Sequence, residues 1–137
     1  MLSLPRHRQI MSDNYQDLIA WQKAMTLAEC AYELTEAFPK REMYGLARQV
    51  RNAAVSVPAN IAEGHGRITR GEWQQFLGIA RGSLLEVETE LILAARFKYI
   101  NQSQLKIALS KSAEVGRLIN GLLRASGSRA PRKPFGG

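Results

Sequence analysis

The sequence predicts an all-α protein, an antiparallel up-down-up-down four-helix bundle whose second helix is kinked at Pro58. Three observations favour this fold. Apolar residues recur at steps of three and four through four long segments, as on the buried face of a helix. No segment alternates apolar and polar residues in the manner of a half-buried strand. The connections between the segments are short, which favours antiparallel neighbours.

The first helix is predicted from about Asn14 or Asp17, either of which can cap it, to Phe38. Pro39 ends it, because the residue before a proline is pushed away from helical angles. Its apolar residues form two stripes on one broad face. The main stripe is Leu18, Trp21, Met25, Ala28 and Tyr32, and the stripe that widens it is Ala20, Ala24, Leu27, Ala31, Leu34 and Phe38.

The second helix is predicted over Met43–Glu63. Pro58 should bend it, since proline has no N–H to donate to the carbonyl of Ala54. Gly64-His65-Gly66 closes it, because glycine accepts the left-handed conformation common at helix ends. The residues expected to point inward are Leu46, Val50, Ala53, Ala54, Val57 and Ile61.

The third helix is predicted to open with the capping box Thr69-x-x-Glu72 and to run to about Tyr99. Its main stripe is Trp73, Phe76, Leu77, Ala80, Leu84, Val87 and Leu91. Four apolar residues lie off that stripe, on other faces: Ile79, Leu85, Ile92 and Leu93. The fourth helix should be capped by Ser103 and span Gln104–Ala125, with Leu105, Leu109, Ser112, Ile119 and Leu122 inward.

One domain, residues 15–125, is expected between a disordered leader (1–14) and a disordered basic tail (126–137). No apolar run approaches the roughly 20 residues that span a bilayer, and the N-terminus lacks the apolar core of a secretory signal. Cys30 has no second cysteine to pair with. We therefore expect a cytoplasmic protein without membrane contact.

The formal net charge is +7, and it is unevenly distributed. Residues 39–70 hold six basic and two acidic side chains, and residues 101–137 hold seven basic and one acidic. This asymmetry favours an anionic partner, of which nucleic acid is the commonest. A solubilising surface with a basic tail explains it equally well.

No set of residues predicts catalysis. His7 and His65 belong to no H-x-x-x-H or E-x-x-H pair, which excludes the usual bundle metal site. Ser56 and Ser83 have no histidine placed to activate them, and Gly64-x-Gly66 is half of a dinucleotide fingerprint without its strand. Because no nucleophile, base and orienting group can be assembled, we predict no enzyme and no cofactor.

Four polar residues crowd the turn between helices two and three: Asn60, Glu63, Arg67 and Arg70. Folding the hairpin symmetrically about its loop predicts three neighbouring pairs, which are Glu63 with Arg70, Asn60 with Trp73, and Arg48 with Glu86. We favour hydrogen-bonded braces over a partner-binding or RNA-binding corner, since polar groups near a packed turn must be satisfied. Gly78 and Gly82, with Ala80, predict close helix packing within the chain or between subunits. At least one of Arg81 and Ser83 should be buried and hydrogen-bonded.

The strings AVSVPANIAEGHGR and FLGIARGSLLEVETEL resemble the bacterial 23S rRNA intervening-sequence proteins, also called four-helix bundle proteins. The resemblance extends from about Tyr15 to Leu123, and its structural motif comprises Pro58, Asn60, Glu63, Gly64, Arg81, Gly82 and Ser83. AEVGRLINGLL is similar to the closing helix of diversity-generating retroelement accessory proteins, which form pentameric barrels and associate with a reverse transcriptase and nucleic acid. The resemblance implies a cyclic homo-oligomer, a pentamer, and supplies no activity.

Together these features predict a non-enzymatic, homo-oligomeric bundle that binds nucleic acid, structured RNA over DNA, by neutralising phosphates. No motif of the usual RNA-binding modules is present, so sequence-specific readout is not expected. The residues expected to contact nucleic acid are Arg48, Arg51, Arg67, Arg70, Arg117, Arg124, Arg129, Arg132 and Lys133. The alternative is a protein-interaction scaffold or accessory subunit, for example of a reverse transcriptase, with nucleic-acid contact incidental.

Overall fold

The computed structural model describes residues 14–127, which contain four α-helices and no strand. The helices are α1 (Ile19–Glu36), α2 (Leu46–His65), α3 (Arg70–Arg96) and α4 (Gln102–Ala125), with 3-10 turns at Tyr15–Asp17 and Lys40–Glu42. The predicted all-α fold is confirmed. The predictions for residues 1–13 and 128–137 lie outside the described residues.

Side-chain caps mark the beginnings of α3 and α4. The Thr69 box is confirmed, with Thr69 Oγ1 accepting from the Glu72 N–H at 3.1 Å. The predicted cap Ser103 is wrong, because Asn101 Oδ1 accepts from the Gln104 N–H at 2.8 Å and Gln104 Oε1 accepts from the Asn101 N–H at 2.9 Å. Asn101-x-x-Gln104 is the same reciprocal motif two residues earlier, so α4 begins sooner than predicted.

Three other boundaries differ from prediction. Asn14 caps the first 3-10 turn, and α1 begins only after Leu18, which offers no side-chain cap. The second helix begins at Leu46 rather than Met43, after the 3-10 turn. The third ends at Arg96 rather than about Tyr99, because Lys98 adopts a left-handed φ of 69° that no α-helix can continue through.

Helices adjacent in sequence pack against each other, and α4 also packs against α1, which closes a four-helix cycle. The up-down-up-down order and the bend at Pro58 stay predictions; Pro58 is buried within α2, which continues to His65. The α2–α3 hydrogen bonds support the antiparallel order. Glu42, before α2, bonds Tyr99, after α3, whereas Ser56 further along α2 bonds Ser83 further back on α3.

Two apolar clusters fill the bundle, one toward each end. All six residues predicted inward on α2 are buried, and Leu77, Ala80, Leu84, Val87 and Leu91 of α3 are buried as predicted. Trp73 and Phe76 are half-buried. Of the residues predicted inward on α4, Leu105, Ser112 and Ile119 are buried, and Leu109 and Leu122 are half-buried.

The predicted main stripe of α1 is correct only in part. Leu18 and Ala28 are buried and Trp21 is half-buried, whereas Met25 and Tyr32 are exposed, at 37% and 43%. The whole second stripe, from Ala20 to Phe38, is buried. The alanines of that stripe permit close approach of the neighbouring helices, which a stripe of Trp, Met and Tyr would hold apart. On α3, Ser83 is buried and hydrogen-bonded whereas Arg81 is exposed, which confirms the expectation for that pair.

Candidate nucleic-acid interface

An open groove of about 770 Å³ lies where α1 ends and α2 begins. We call it the basic groove, and its lining includes Tyr32, Lys40, Met43, Tyr44, Arg48 and Asn52. The Tyr44 ring is almost fully in solvent, with 88% of the residue exposed. The groove thus presents apolar side chains and cations together, from two helices and the connection between them.

A hydrogen-bonded clamp fixes the connection that carries Tyr44. Glu42 Oε1 accepts from the Leu46 N–H at 3.0 Å, and Glu42 Oε2 accepts from the Tyr99 hydroxyl at 2.8 Å. The hydrogen bond from the Leu46 N–H, and to a smaller extent the one from the Tyr99 hydroxyl, holds the pKa of the Glu42 carboxyl below its usual range. A Cβ at Gly45 would lie 2.7 Å from Glu42 Oε1, so glycine leaves room for the clamped carboxylate.

Arg51 is held by neighbours on α1. Its Nε donates to Thr35 Oγ1 at 2.8 Å, its guanidinium lies 4.8 Å from the centre of the Tyr32 ring, and its Nη2 lies 3.5 Å from Glu36 Oε2. Only 19% of the Arg51 side chain is exposed. Arg51 therefore holds the Tyr32 ring at the wall of the basic groove. This packing role comes in addition to the phosphate contact predicted for Arg51.

A second basic surface, the hairpin corner, lies at the opposite end of α2. It is a pocket of about 340 Å³ whose lining includes Arg67, Ile68, Arg70, Trp73, Ser126 and Gly127. Gln74 Nε2 donates to Ser126 Oγ at 2.9 Å, which ties the end of α4 to the start of α3. The described chain therefore ends at this corner, and the predicted contacts Arg129, Arg132 and Lys133 follow in sequence, outside the described residues.

The two arginines of the hairpin corner differ in their contacts. Arg67 Nη2 lies 2.6 Å from Glu63 Oε2, and its guanidinium lies 4.9 Å from the centre of the Phe76 ring. Arg70 packs on Gly127, which has a φ of 90°. It forms no ion pair within residues 14–127. The Arg70 guanidinium can therefore contact an anionic ligand at this corner, whereas Glu63 neutralises part of the charge of Arg67.

The predicted nucleic-acid residues do not form one surface. Arg48 and Arg51 lie at the basic groove, and Arg67 and Arg70 lie at the hairpin corner. The part of α2 from Arg48 to its last residue, His65, separates them by about 26 Å at 1.5 Å per residue. Arg117 and Arg124 are exposed on the second half of α4. Along the described part of the chain, four of the predicted arginines are exposed and form no ion pair: Arg48, Arg70, Arg117 and Arg124.

Around the turn, the hydrogen bonds of Asn60 and Glu63 differ from the predicted pairs. Asn60 Nδ2 donates to the Ser56 carbonyl at 2.8 Å and lies 2.9 Å from Ser56 Oγ, which in turn bonds Ser83 Oγ at 2.8 Å. Glu63 bonds Arg67 rather than Arg70.

The register of the hairpin explains the changed partners. Gly64 packs directly on Trp73 and Phe76, and Ser56 meets Ser83. Each α2 residue therefore lies opposite an α3 residue that is roughly a turn and a half closer to the C-terminus of α3 than symmetric folding predicts. The first turn of α3 extends past the end of α2, which the sequence spacing did not reveal.

Gly78 and Gly82 face open space in the single chain, since a Cβ on either would meet nothing within 4 Å. Ala80 points into the core instead, with no exposed surface. Close helix packing within the chain is therefore not the reason for these glycines. Ile79, Leu85 and Ile92 on α3 are exposed as predicted, at 44%, 55% and 38%.

The described residues offer no catalytic constellation. Residues 14–127 hold no group of three or more side chains suited to a metal ion, and none of their helices is long and apolar enough to cross a membrane. The Ser56 and Ser83 hydroxyls bond each other, and burial raises the pKa of the Cys30 thiol. A thiol with a raised pKa is a poor nucleophile at neutral pH.

Residues 16–121 match the family model of the 23S rRNA-intervening sequence protein. A similar solved structure is that of a protein with unknown function from the S23 ribosomal protein family, from Bacteroides thetaiotaomicron. It has a TM-score of 0.72 and 22% identity, over 77% of this chain and 99% of that chain, so the likeness concerns the fold. Comparison with curated proteins finds no match.

Proposed function

The chain belongs to the 23S rRNA-intervening sequence protein family, and from that premise we propose that it is a non-enzymatic, cytoplasmic homo-oligomer that binds RNA through its basic surfaces. One observation carries the proposal. A chain of net charge +7 exposes Arg48, Arg70 and Arg124 without an acidic partner among the described residues, toward both ends of the bundle. Cations not neutralised by their own protein are available to phosphates.

Oligomerisation would strengthen this binding. The outer face of α3 exposes three branched apolar residues beside two glycines that contact nothing in the chain: Ile79, Leu85, Ile92, Gly78 and Gly82. Such a face suits a second copy, since glycines allow close backbone approach and the apolar residues would leave water. A cyclic assembly, a pentamer by the resemblance, would repeat every basic surface around one axis and concentrate the positive field.

RNA is favoured over DNA because the proposed contacts recognise the charge and the shape of the nucleic acid and not its base sequence. Both basic surfaces are concave features of the bundle, which suits the irregular surface of a folded RNA. The name of the family, 23S rRNA-intervening sequence protein, also refers to an RNA.

A scaffold that binds another protein, such as a reverse transcriptase, is the second candidate. The same outer face of α3 favours it, because an apolar face fits a protein partner as well as a second copy. Nucleic-acid contact would then be incidental.

Salt-titrated binding of the full chain to a hairpin RNA and to the DNA of the same sequence tests the proposal. We expect the logarithm of the affinity to fall linearly with the logarithm of salt concentration, by roughly 0.7–0.9 for each neutralised phosphate, and RNA to bind more tightly. Light scattering on the same samples should report a mass several times the 15.3 kDa monomer. No binding at low salt would contradict RNA binding, and a clean monomer would remove the interface.

A further inference from the structure

We infer that the basic groove binds unpaired nucleotides of an RNA, with Tyr44 stacking on a base while Lys40 and Arg48 contact the neighbouring phosphates. This inference rests on the proposed RNA binding and goes beyond it. It assigns one defined site to single-stranded RNA, in place of a diffuse attraction to phosphates.

The basic groove gathers exposed apolar surface in one concavity. Tyr44, Tyr32 and Met43 are 88%, 43% and 40% exposed, and all three line the basic groove. Single exposed apolar residues are common, but three that converge in one cleft mark a binding site. The groove's volume of about 770 Å³ lies within the range of small-ligand sites, so it has room for a nucleotide.

The lining of the basic groove also carries a surplus of positive charge. Lys40, Arg48 and Arg51 contribute three cations, and Glu36 is the only carboxylate among the lining residues. That carboxylate already lies 3.5 Å from Arg51 Nη2. The surplus cations, Lys40 and Arg48, flank Tyr44 in sequence on either side. An aromatic platform between cations is the arrangement by which proteins hold single strands.

The basic groove is preorganised for binding. The Glu42 clamp, made with Leu46 and Tyr99, fixes both ends of the short segment that carries Tyr44. The Arg51 guanidinium holds Tyr32 from α2. An ordered backbone at Tyr44 and a ring already held at Tyr32 lose little conformational entropy on binding, so their contacts with a base contribute more to affinity.

An unpaired strand fits this chemistry better than a duplex. In a duplex the faces of the bases are covered by their neighbours in the stack, and the A-form major groove is too narrow for side chains. A protruding tyrosine ring can stack only on a base whose face is free. A basic peptide would be repelled by Lys40 and Arg48, and an acidic peptide would leave the exposed Tyr44 face without a matching flat partner.

The test measures binding of the full chain to a labelled oligouridylate 12-mer and to a 12-base-pair RNA duplex at one low salt concentration. Tyr44→Ala should weaken 12-mer binding by about 5- to 150-fold, the equivalent of one lost base stack, and leave duplex binding nearly unchanged. Tyr44→Phe should bind as the wild type does, because it keeps the ring. Ile68→Ala is the matched control, since Ile68 is an apolar residue 97% exposed at the hairpin corner.

The outcomes distinguish a failure of the proposed RNA binding from a failure of the groove assignment. If the wild type binds neither probe, the proposed function fails. If the wild type binds both and Tyr44→Ala binds the 12-mer as tightly, or loses both probes equally, the groove assignment alone is overturned. Photo-crosslinking with 4-thiouridine in the 12-mer provides an independent readout. Crosslinks should map to the peptide with Tyr44, and crosslinks confined to residues 67–73 would contradict the groove.

Discussion

The backbone of Gly64 lies so close to Phe76 that a Cβ at Gly64 would be only 2.6 Å from the Phe76 Cβ, and 2.9 Å from the Trp73 ring. This contact sets the separation of α2 and α3 at the hairpin corner. It also explains why a helix keeps a residue that lowers helix stability by roughly 1 kcal/mol relative to alanine.

Gly64→Ala should therefore destabilise the protein, because real Cβ atoms never approach other atoms so closely and the helices must shift apart. Gly71→Ala is the matched control, since a Cβ at Gly71 would meet nothing within 4 Å and Gly71 lies outside the proposed subunit interface, so alanine should not lower the free energy of unfolding. Chemical denaturation measures both. A stabilised Gly64→Ala would refute the close contact.

Leu84→Ala should lower the free energy of unfolding by about 2–5 kcal/mol, and Leu77→Ala should do the same, because both side chains are buried and their removal leaves a cavity. Ile107→Ala is the control, since Ile107 on α4 is 55% exposed and lies outside the proposed subunit interface, so this change should alter the free energy of unfolding little. Equal losses for Leu84→Ala and Ile107→Ala would mean that the core face of α3 is assigned wrongly.

Glu90 should make stability depend on pH. Its Oε1 is buried without a hydrogen-bond partner among the described residues, and burial, with the charge of Glu86 adding to it, raises the carboxyl pKa from 4.5 to about 7. The folded state therefore holds a proton that the unfolded chain has released between these values. The contribution of Glu90 to stability is complete below the lower pKa and is lost as pH rises through about 7.

Glu90→Gln, which stays neutral, should remove this loss. Relative to the wild type, the variant should gain stability between pH 5 and pH 8, by an amount of order 1 kcal/mol once the solvent that reaches the carboxyl is allowed for. Denaturant titrations at both pH values provide the comparison. Parallel pH profiles for the two proteins would show that the carboxyl titrates normally.

Arg70→Gln with Arg124→Gln should weaken binding to any RNA and flatten the salt dependence by roughly 0.7–0.9 for each lost phosphate contact, because both arginines are exposed and form no ion pair among residues 14–127. Arg67→Gln should have a smaller effect, since Arg67 is already paired with Glu63. Lys106→Gln, an exposed cation on α4 outside both basic surfaces, is the control. A salt slope that Lys106→Gln alters as much as the arginine pair would indicate an unlocalised charge effect.

The sequence alone determined the four helices, because helical periodicity and capping are local. The six inward residues of α2 repeat at steps of three and four and needed no partner to be recognised. The Thr69-x-x-Glu72 box likewise marks a helix start wherever it occurs. Asn101-x-x-Gln104 carries the same signal, and Ser103 competes with it in the sequence because serine is also a good capping residue.

The tertiary structure decided what depends on more than one element. α1 has two overlapping apolar stripes, and periodicity cannot decide which of them is more deeply buried. The stripe with Ala20, Ala24 and Ala31 is the more deeply buried, because neighbouring helices can approach these small side chains closely. The register of the α2–α3 hairpin depends on the path of its loop. Ser56 therefore bonds Ser83, and the pairs predicted by symmetric folding are wrong. The basic groove arises because Tyr32 of α1, Lys40 of the connection and Arg48 of α2 converge, and residues so placed share no local pattern along the chain.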